Sequence, residues 1–136
     1  MEAIGIINSP FRTLENMPIQ PKGAADITGT VTIEPRYVEG LADLDGFSHI
    51  YLIYVFHRVT KPAQMKVLPF MDKVKRGVFS TRSPLHPNHI GISIVELVSV
   101  SGNELTVKGI DVLDGTPLLD IKPYISAFDR VEESRS

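Results

Sequence analysis

Ser48-His49-Ile50-Tyr51-Leu52-Ile53-Tyr54-Val55-Phe56 decides the fold. The stretch is aromatic and β-branched throughout and is bounded by Gly46 on one side and His57-Arg58 on the other. It is strand-sized, and its composition predicts a central strand buried on both faces. Working outward, the flanking segments repeat the theme in shorter form. Toward the C-terminus, Gln64 to Phe70 reads as a weaker strand and Ile90 to Val100 as a long one, whose alternation slips near Ile94-Val95, where a β-bulge is expected. Ser101-Gly102-Asn103-Glu104 reads as a hairpin turn in which Gly-Asn supplies positive φ angles. Leu105 to Lys108 alternates again, and Leu118 to Tyr124 is a last strand. Toward the N-terminus, Val38 to Leu44 reads as a short helix broken at Gly46. Thr30 to Glu34 alternates as a half-buried strand closed by Pro35, Leu14 to Asp26 is an irregular connection, and Ala3 to Ile7 is a first strand. A tail over about 129–136 is expected to fray. Seven or eight strands with few short helices close best as a β-barrel, because closure removes exposed edges.

Composition narrows the chemistry. A chain of 136 residues is expected to form a single domain over 1–136, and 43% hydrophobic residues suffice for a core. The absence of cysteine removes disulfides, thiolate metal sites, cysteine nucleophiles and iron–sulfur clusters. No apolar run approaches the ~20 residues of a membrane-spanning helix, and the start of the chain lacks the pattern of a signal peptide, so a cytoplasmic soluble protein is the expectation. The net charge of -2 argues against wholesale nucleic-acid binding. Yet half of the 14 cations lie between Arg58 and Arg82, against Asp72 alone. One basic strip on an acidic protein suits a phosphate-bearing substrate, although such runs are also ordinary solvated loops.

The segment Gly77-Val78-Phe79-Ser80-Thr81-Arg82-Ser83-Pro84-Leu85-His86-Pro87-Asn88-His89-Ile90-Gly91-Ile92-Ser93 is dense in polar groups and stiffened by proline. It reads as a rigid loop built to hold something. His86 and His89 stand three apart, but two loop histidines without cysteine are weak evidence for a metal. Nothing in the chain resembles a nucleophile elbow or a phosphate-binding glycine loop.

This segment strongly resembles the signature of the TrmO family, also called TsaA-like proteins, through Arg82-Ser83-Pro84, Pro87-Asn88 and Ile90-Gly91. Pro18-Ile19-Gln20-Pro21 resembles the family's early P-x-Q element. Leu44-Asp45-Gly46-Phe47-Ser48-His49-Ile50 with His57-Arg58 resembles its G-F-S-H-I strand. Asp111-Val112-Leu113-Asp114-Gly115-Thr116-Pro117 and Asp120-Ile121-Lys122-Pro123-Tyr124 resemble its D-x-L-D-G-T-P and D-I-K-P-Y ending. The chain departs from the pattern at Leu85-His86, where many members have His-Arg, and at His89, where they have a second loop proline. It also ends at the barrel, where longer members carry an extra C-terminal domain.

The resemblance implies a single-sheeted β-barrel, S-adenosylmethionine as cofactor near the interface of a homodimer, and tRNA as partner, with no DNA or membrane partner. It implies methyl transfer to the exocyclic nitrogen of a threonylcarbamoyl-modified adenosine beside the anticodon. A cofactor-binding module, or a small-molecule methyltransferase without a tRNA substrate, is the alternative. The implied cofactor-binding residues are Pro18, Ile19, Gln20, His57, Arg58, Arg82, Ile92, Asp111, Val112, Leu113 and Asp114. Arg82 suits the cofactor carboxylate or an RNA phosphate, and equally a surface salt bridge. Asp111 and Asp114 suit ribose hydroxyls or the cofactor ammonium, though Asp-Gly is also ordinary turn chemistry. The backbone of Val112 and Leu113 could read the adenine edge, and Ile92 could pack on the adenine face or in the core. Gln20 is a rigidly presented amide or a solvated one. His57 is a ligand at a strand end or a structural histidine. The acceptor amine must lose a proton, and Asp114, Asp111 and His57 are the candidate bases.

Overall fold

Strand β3 (His49–Val55) is the spine of the architecture. The computed structural model describes residues 1–13, 25–69 and 72–135. Strands β1 (Gly5–Asn8), β2 (Thr28–Ile33), β6 (Ile90–Ser101), β7 (Glu104–Lys108) and β8 (Thr116–Pro123) join β3 in a closed antiparallel barrel, in the order β1-β2-β7-β6-β3-β8. The barrel therefore has six strands, fewer than expected from the sequence. The stretch read as a weak strand contributes only β4 (Lys66–Val67), which pairs with β5 (Arg76–Gly77) in a separate two-stranded sheet. The Pro18-Ile19-Gln20-Pro21 element lies outside the described residues.

The central strand is not buried on both faces. Ile50, Leu52 and Tyr54 enter the core, while His49, Tyr51, Ile53 and Val55 are half-buried on the outside. A closed barrel has one dry face, so a continuously apolar strand necessarily shows half its side chains outward. The slip in β6 lies at Val98, between Leu97 and Ser99 in the pairing with β7, and not at Ile94-Val95. The misplacement has a physical cause. Ser93 is buried at 5% exposure while Ile92 and Ile94 are exposed, so the polar residue is inside and the apolar ones outside. A second irregularity falls in β8, where Ile53 pairs with Asp120 and Tyr54 with Leu118. Two such bulges on the strands flanking β3 help the sheet curve shut.

The hairpin after β6 uses one left-handed residue, Gly102 (φ 60°), whereas Asn103 is not left-handed. Asn103 instead bonds to β2: its Nδ2 donates to Ile33 O (3.0 Å) and its carbonyl accepts Ile33 N–H (2.8 Å). The expected helix is a 3-10 segment over Pro35–Leu41, followed after left-handed Asp43 by another over Leu44–Gly46. After β8, helix α1 (Ser126–Asp129) precedes exposed residues without regular structure up to 135. The barrel interior is filled by Ile7, Val31, Ile33, Ile50, Leu52, Leu105, Val107, Ile110 and Leu118, all at most 1% exposed.

Candidate functional site

The site is built around one half-buried carboxylate. Asp111 follows β7 and its Oδ1 accepts a hydrogen bond from Ser93 Oγ at 2.6 Å. Ser93 faces inward from β6, and its own oxygen lies 2.9 Å from Tyr54 Oη on β3. Because the Ser93 proton is spent on Asp111, the Tyr54 hydroxyl donates to Ser93. Burial pushes the Asp111 carboxyl above its ordinary value, while the bond from Ser93, its own backbone N–H and the charge of Arg82 pull it partly back. Burial, with the Asp111 charge adding to it, pushes Tyr54 up to about 12. Among the described residues Asp111 makes no ion pair. A desolvated carboxylate without a bonded cation is costly, and a cationic ligand relieves that cost.

Tyr54 and Ser93 went unread in the sequence as site residues. The signal was present, since a serine between two isoleucines and a tyrosine in an apolar strand both need buried partners. Tyr54→Phe removes one hydrogen bond and is expected to cost about 1 kcal/mol at neutral pH. Tyr54 ionises at 10.0 when unfolded and near 12 when folded. Stability is therefore complete below 10.0 and is lost as pH rises through that window. Urea titrations at pH 9 and 11 are expected to show a smaller alkaline loss in Tyr54→Phe than in the wild type.

The other candidates divide. Arg82 is exposed on the signature loop, close enough for its charge to act on both Asp111 and Tyr54. That loop is braced from within. Thr81 Oγ1 donates to Val78 O (2.7 Å), Ser83 N–H to Thr81 Oγ1 (3.2 Å), and His86 Nε2 to Thr81 O (2.8 Å). His89 Nε2 donates to Lys61 O (2.9 Å). Asn88 and His89 are both left-handed, at φ 69° and 53°. A proline at position 89 could not adopt that φ, so the departure from the family pattern changes the backbone as well as the side chain. His57 is exposed just beyond β3, and burial, then Arg58, lower its pKa, which favours a neutral imidazole.

Asp114 serves the backbone. Its Oδ1 accepts Ser9 N–H (3.0 Å) and its own N–H donates to Phe11 O (2.7 Å), which ties the exit of β1 to the turn before β8. Val112 and Leu113 have buried side chains, and their carbonyls accept Ser9 Oγ and Thr116 Oγ1, each at 2.6 Å. Ile92 points outward at 45% exposure, which excludes the core reading. Ser93 and Ile92 face opposite sides of β6, so Ile92 lies on the face of the strand away from the Ser93–Asp111 hydrogen bond.

Comparison with known proteins gives the family. The model of the tRNA-methyltransferase O N-terminal domain matches residues 6–130. The chain belongs to the TrmO family. It is 54% identical over 132 residues to a protein of Pyrococcus abyssi named as a probable S-adenosyl-L-methionine-binding protein, covering 97% of this chain and 71% of that one. It is 36% identical over 135 residues to the human tRNA (adenine(37)-N6)-methyltransferase, covering 94% of this chain and 30% of the human enzyme. The crystal structure of TrmO from Pseudomonas aeruginosa superposes with a TM-score of 0.83 at 38% identity, over 98% of this chain and 59% of that one. The TrmO chain thus aligns through the barrel, the part that carries Asp111 and Arg82.

Proposed function

We propose that this TrmO-family chain acts as one domain over residues 1–136 and is an S-adenosylmethionine-dependent tRNA methyltransferase. Its acceptor is the exocyclic nitrogen of a threonylcarbamoyl-modified adenosine beside the anticodon. The observation that carries the reading is Asp111, a half-buried carboxylate, raised in pKa by desolvation, with no bonded cation among the described residues. It sits within the D-x-L-D-G-T-P motif, within reach of the charge of Arg82 on the internally braced loop. S-adenosylmethionine supplies a methyl group activated by a positively charged sulfur. Asp111 would hold the cofactor's positive charge and Arg82 its carboxylate, with Arg58 and the backbone of Val112 and Leu113 as further contacts; Pro18, Ile19 and Gln20, which the family resemblance adds to the set, lie outside the described residues. His57, neutral at pH 7, accepts the proton that the acceptor nitrogen must shed and returns it to water. Alignment and exclusion of water are what the protein adds.

The test is mass spectrometry of nucleosides from tRNA incubated with protein and S-adenosylmethionine. A methyl mass increment on the threonylcarbamoyl adenosine, and none on tRNA lacking that group, is expected. Cofactor retention without any transfer would support the second reading, a cofactor-binding module, which the name of the Pyrococcus relative favours.

We also propose a homodimer formed through the outer face of β3 and β6. Ile92 and Ile94 are 45% and 48% exposed there, and they stand opposite Ile53 and Tyr51 in the strand pairing. An apolar stripe on the outside of a barrel is the kind of surface that association covers. A second subunit at that face would also bring Ile92 to the edge of a shared cleft. Light scattering is expected to give twice the chain mass for the wild type and a single chain mass for Ile94→Asp. No helix among the described residues is long and apolar enough to cross a membrane, and a cytoplasmic location fits a tRNA substrate.

A further inference from the structure

One aromatic ring is held out into solvent with unusual firmness. Phe79 is 76% exposed, yet it sits in a single 3-10 turn, Val78–Ser80, whose first residue, Val78, is 1% exposed. Val78 N–H donates to Met65 O (2.8 Å), which fixes the turn to the β4–β5 hairpin. Thr81 closes the turn from the other side through its N–H and hydroxyl, both donated to Val78 O. His86, itself anchored on Thr81 O, meets the Phe79 ring edge-on at 5.8 Å. The ring is therefore pre-ordered and one of its faces remains open. Exposing a fixed phenyl group gains nothing for the fold.

Its neighbourhood is basic. The hairpin that leads into the turn carries exposed Lys66, Lys73, Lys75 and Arg76. The one carboxylate of this segment, Asp72, is already spent: it accepts the N–H groups of Lys73 and Val74 and pairs with Arg76 at 3.0 Å. Among the described residues Lys66, Lys73 and Lys75 are in no ion pair. Arg82 follows Phe79 by three residues and leads to Asp111. An exposed aromatic ring on a braced turn that lies, along the chain, between an uncompensated cationic hairpin and Arg82 has the chemistry of a single-stranded nucleic-acid platform.

We propose that Phe79 is the surface on which an unpaired base of the RNA substrate stacks, with Lys66, Lys73 and Lys75 gripping the neighbouring phosphates. This rests on the tRNA reading and specifies how the strand is held beside the reacting nucleotide. Stacking is tolerant of base identity, so the platform positions the loop without reading its sequence.

The test uses the full chain and a synthetic anticodon stem-loop RNA, followed by fluorescence anisotropy. Phe79→Ala is expected to weaken RNA binding by roughly 5- to 150-fold, the range found when stacking aromatics are truncated, with calorimetric affinity for S-adenosylmethionine unchanged. Phe79→Trp is expected to restore binding. Because the natural chain contains no tryptophan, the indole emission of that variant comes from position 79 alone and should be quenched when RNA is added. Lys73→Ala with Lys75→Ala is expected to flatten the salt dependence by about 0.7 in logarithmic slope for each phosphate that is no longer neutralised. Wild-type RNA affinity in Phe79→Ala would overturn the platform alone. So would a fall in oligomeric mass in that variant with RNA binding intact, which would assign the ring to a second copy of the chain. A wild-type protein that binds S-adenosylmethionine but not the stem-loop would remove the tRNA reading and the platform together.

Discussion

Asp111→Asn is expected to lower kcat/KM for methyl transfer by about 10- to 150-fold while leaving the protein folded. The asparagine keeps an oxygen in place for the Ser93 hydroxyl, so the Tyr54–Ser93 chain survives and only the charge is lost. Hydrogen bonds and contacts to a charged group contribute about 1.5–3 kcal/mol, which converts to that range. The same substitution should make the ligand-free protein more stable at neutral pH. A carboxyl whose folded pKa is raised stabilises fully below its ordinary value of 3.8, and that contribution is lost as pH rises through the elevated value. At pH 7 the wild type therefore carries a partly desolvated charge that the asparagine does not. Urea unfolding at pH 4 and pH 7 should show a smaller difference between the two pH values in the variant. A variant both less active and more stable separates a binding group from a structural one. Loss of stability at pH 7 without loss of activity would mark Asp111 as a fold residue.

Gly91→Ala carries the second large effect, because it strikes fold and site together. A Cβ at Gly91 would lie 2.5 Å from Tyr54 Cε2 and 2.8 Å from Phe56 Cε2. Those rings pack against each other at 5.5 Å, Tyr54 lies opposite Gly91 in the strand pairing, and Tyr54 is buried. Tyr54 cannot move aside without opening the core, and overpacking of this kind costs about 1–3 kcal/mol. Displacing Tyr54 also breaks its bond to Ser93. The expected outcome is a fall in Tm of about 4 °C for each kcal/mol of destabilisation, together with weaker cofactor binding. Gly40→Ala is the control, since nothing lies within 4 Å of a Cβ there and it should change neither quantity measurably. Equal behaviour of the two variants would refute the close approach.

The two variants also mark where the sequence could be read and where it could not. Strand positions from Thr30 to Glu34 and from Leu105 to Lys108 were legible, because each has one wet and one dry face and alternates accordingly. The β3 stretch announced a strand but hid its sidedness, since the outer residues Tyr51 and Ile53 are as apolar as the inner ones. In β6 the apolar residues at 92 and 94 disguise which face is the core, and the bulge was misplaced as a consequence. Asp111 and Asp114 are indistinguishable as letters in a D-x-L-D-G motif. Only the chain path shows that Asp114 binds the backbone of Ser9 while Asp111 is half-buried against Ser93 within reach of the charge of Arg82. Tyr54 and Ser93 meet across 39 residues of sequence, a pairing that periodicity cannot foresee. The motif spacing located the loop from 77 to 93, whereas its internal bracing through Thr81 and His86 emerges only from the fold.

Calorimetric titration of the folded chain with S-adenosylmethionine puts the most direct question to the Asp111 carboxylate. Saturable heat with one molecule bound per chain is expected, much weakened in Asp111→Asn. A flat titration of the wild type, or identical affinity in the two proteins, would contradict the account.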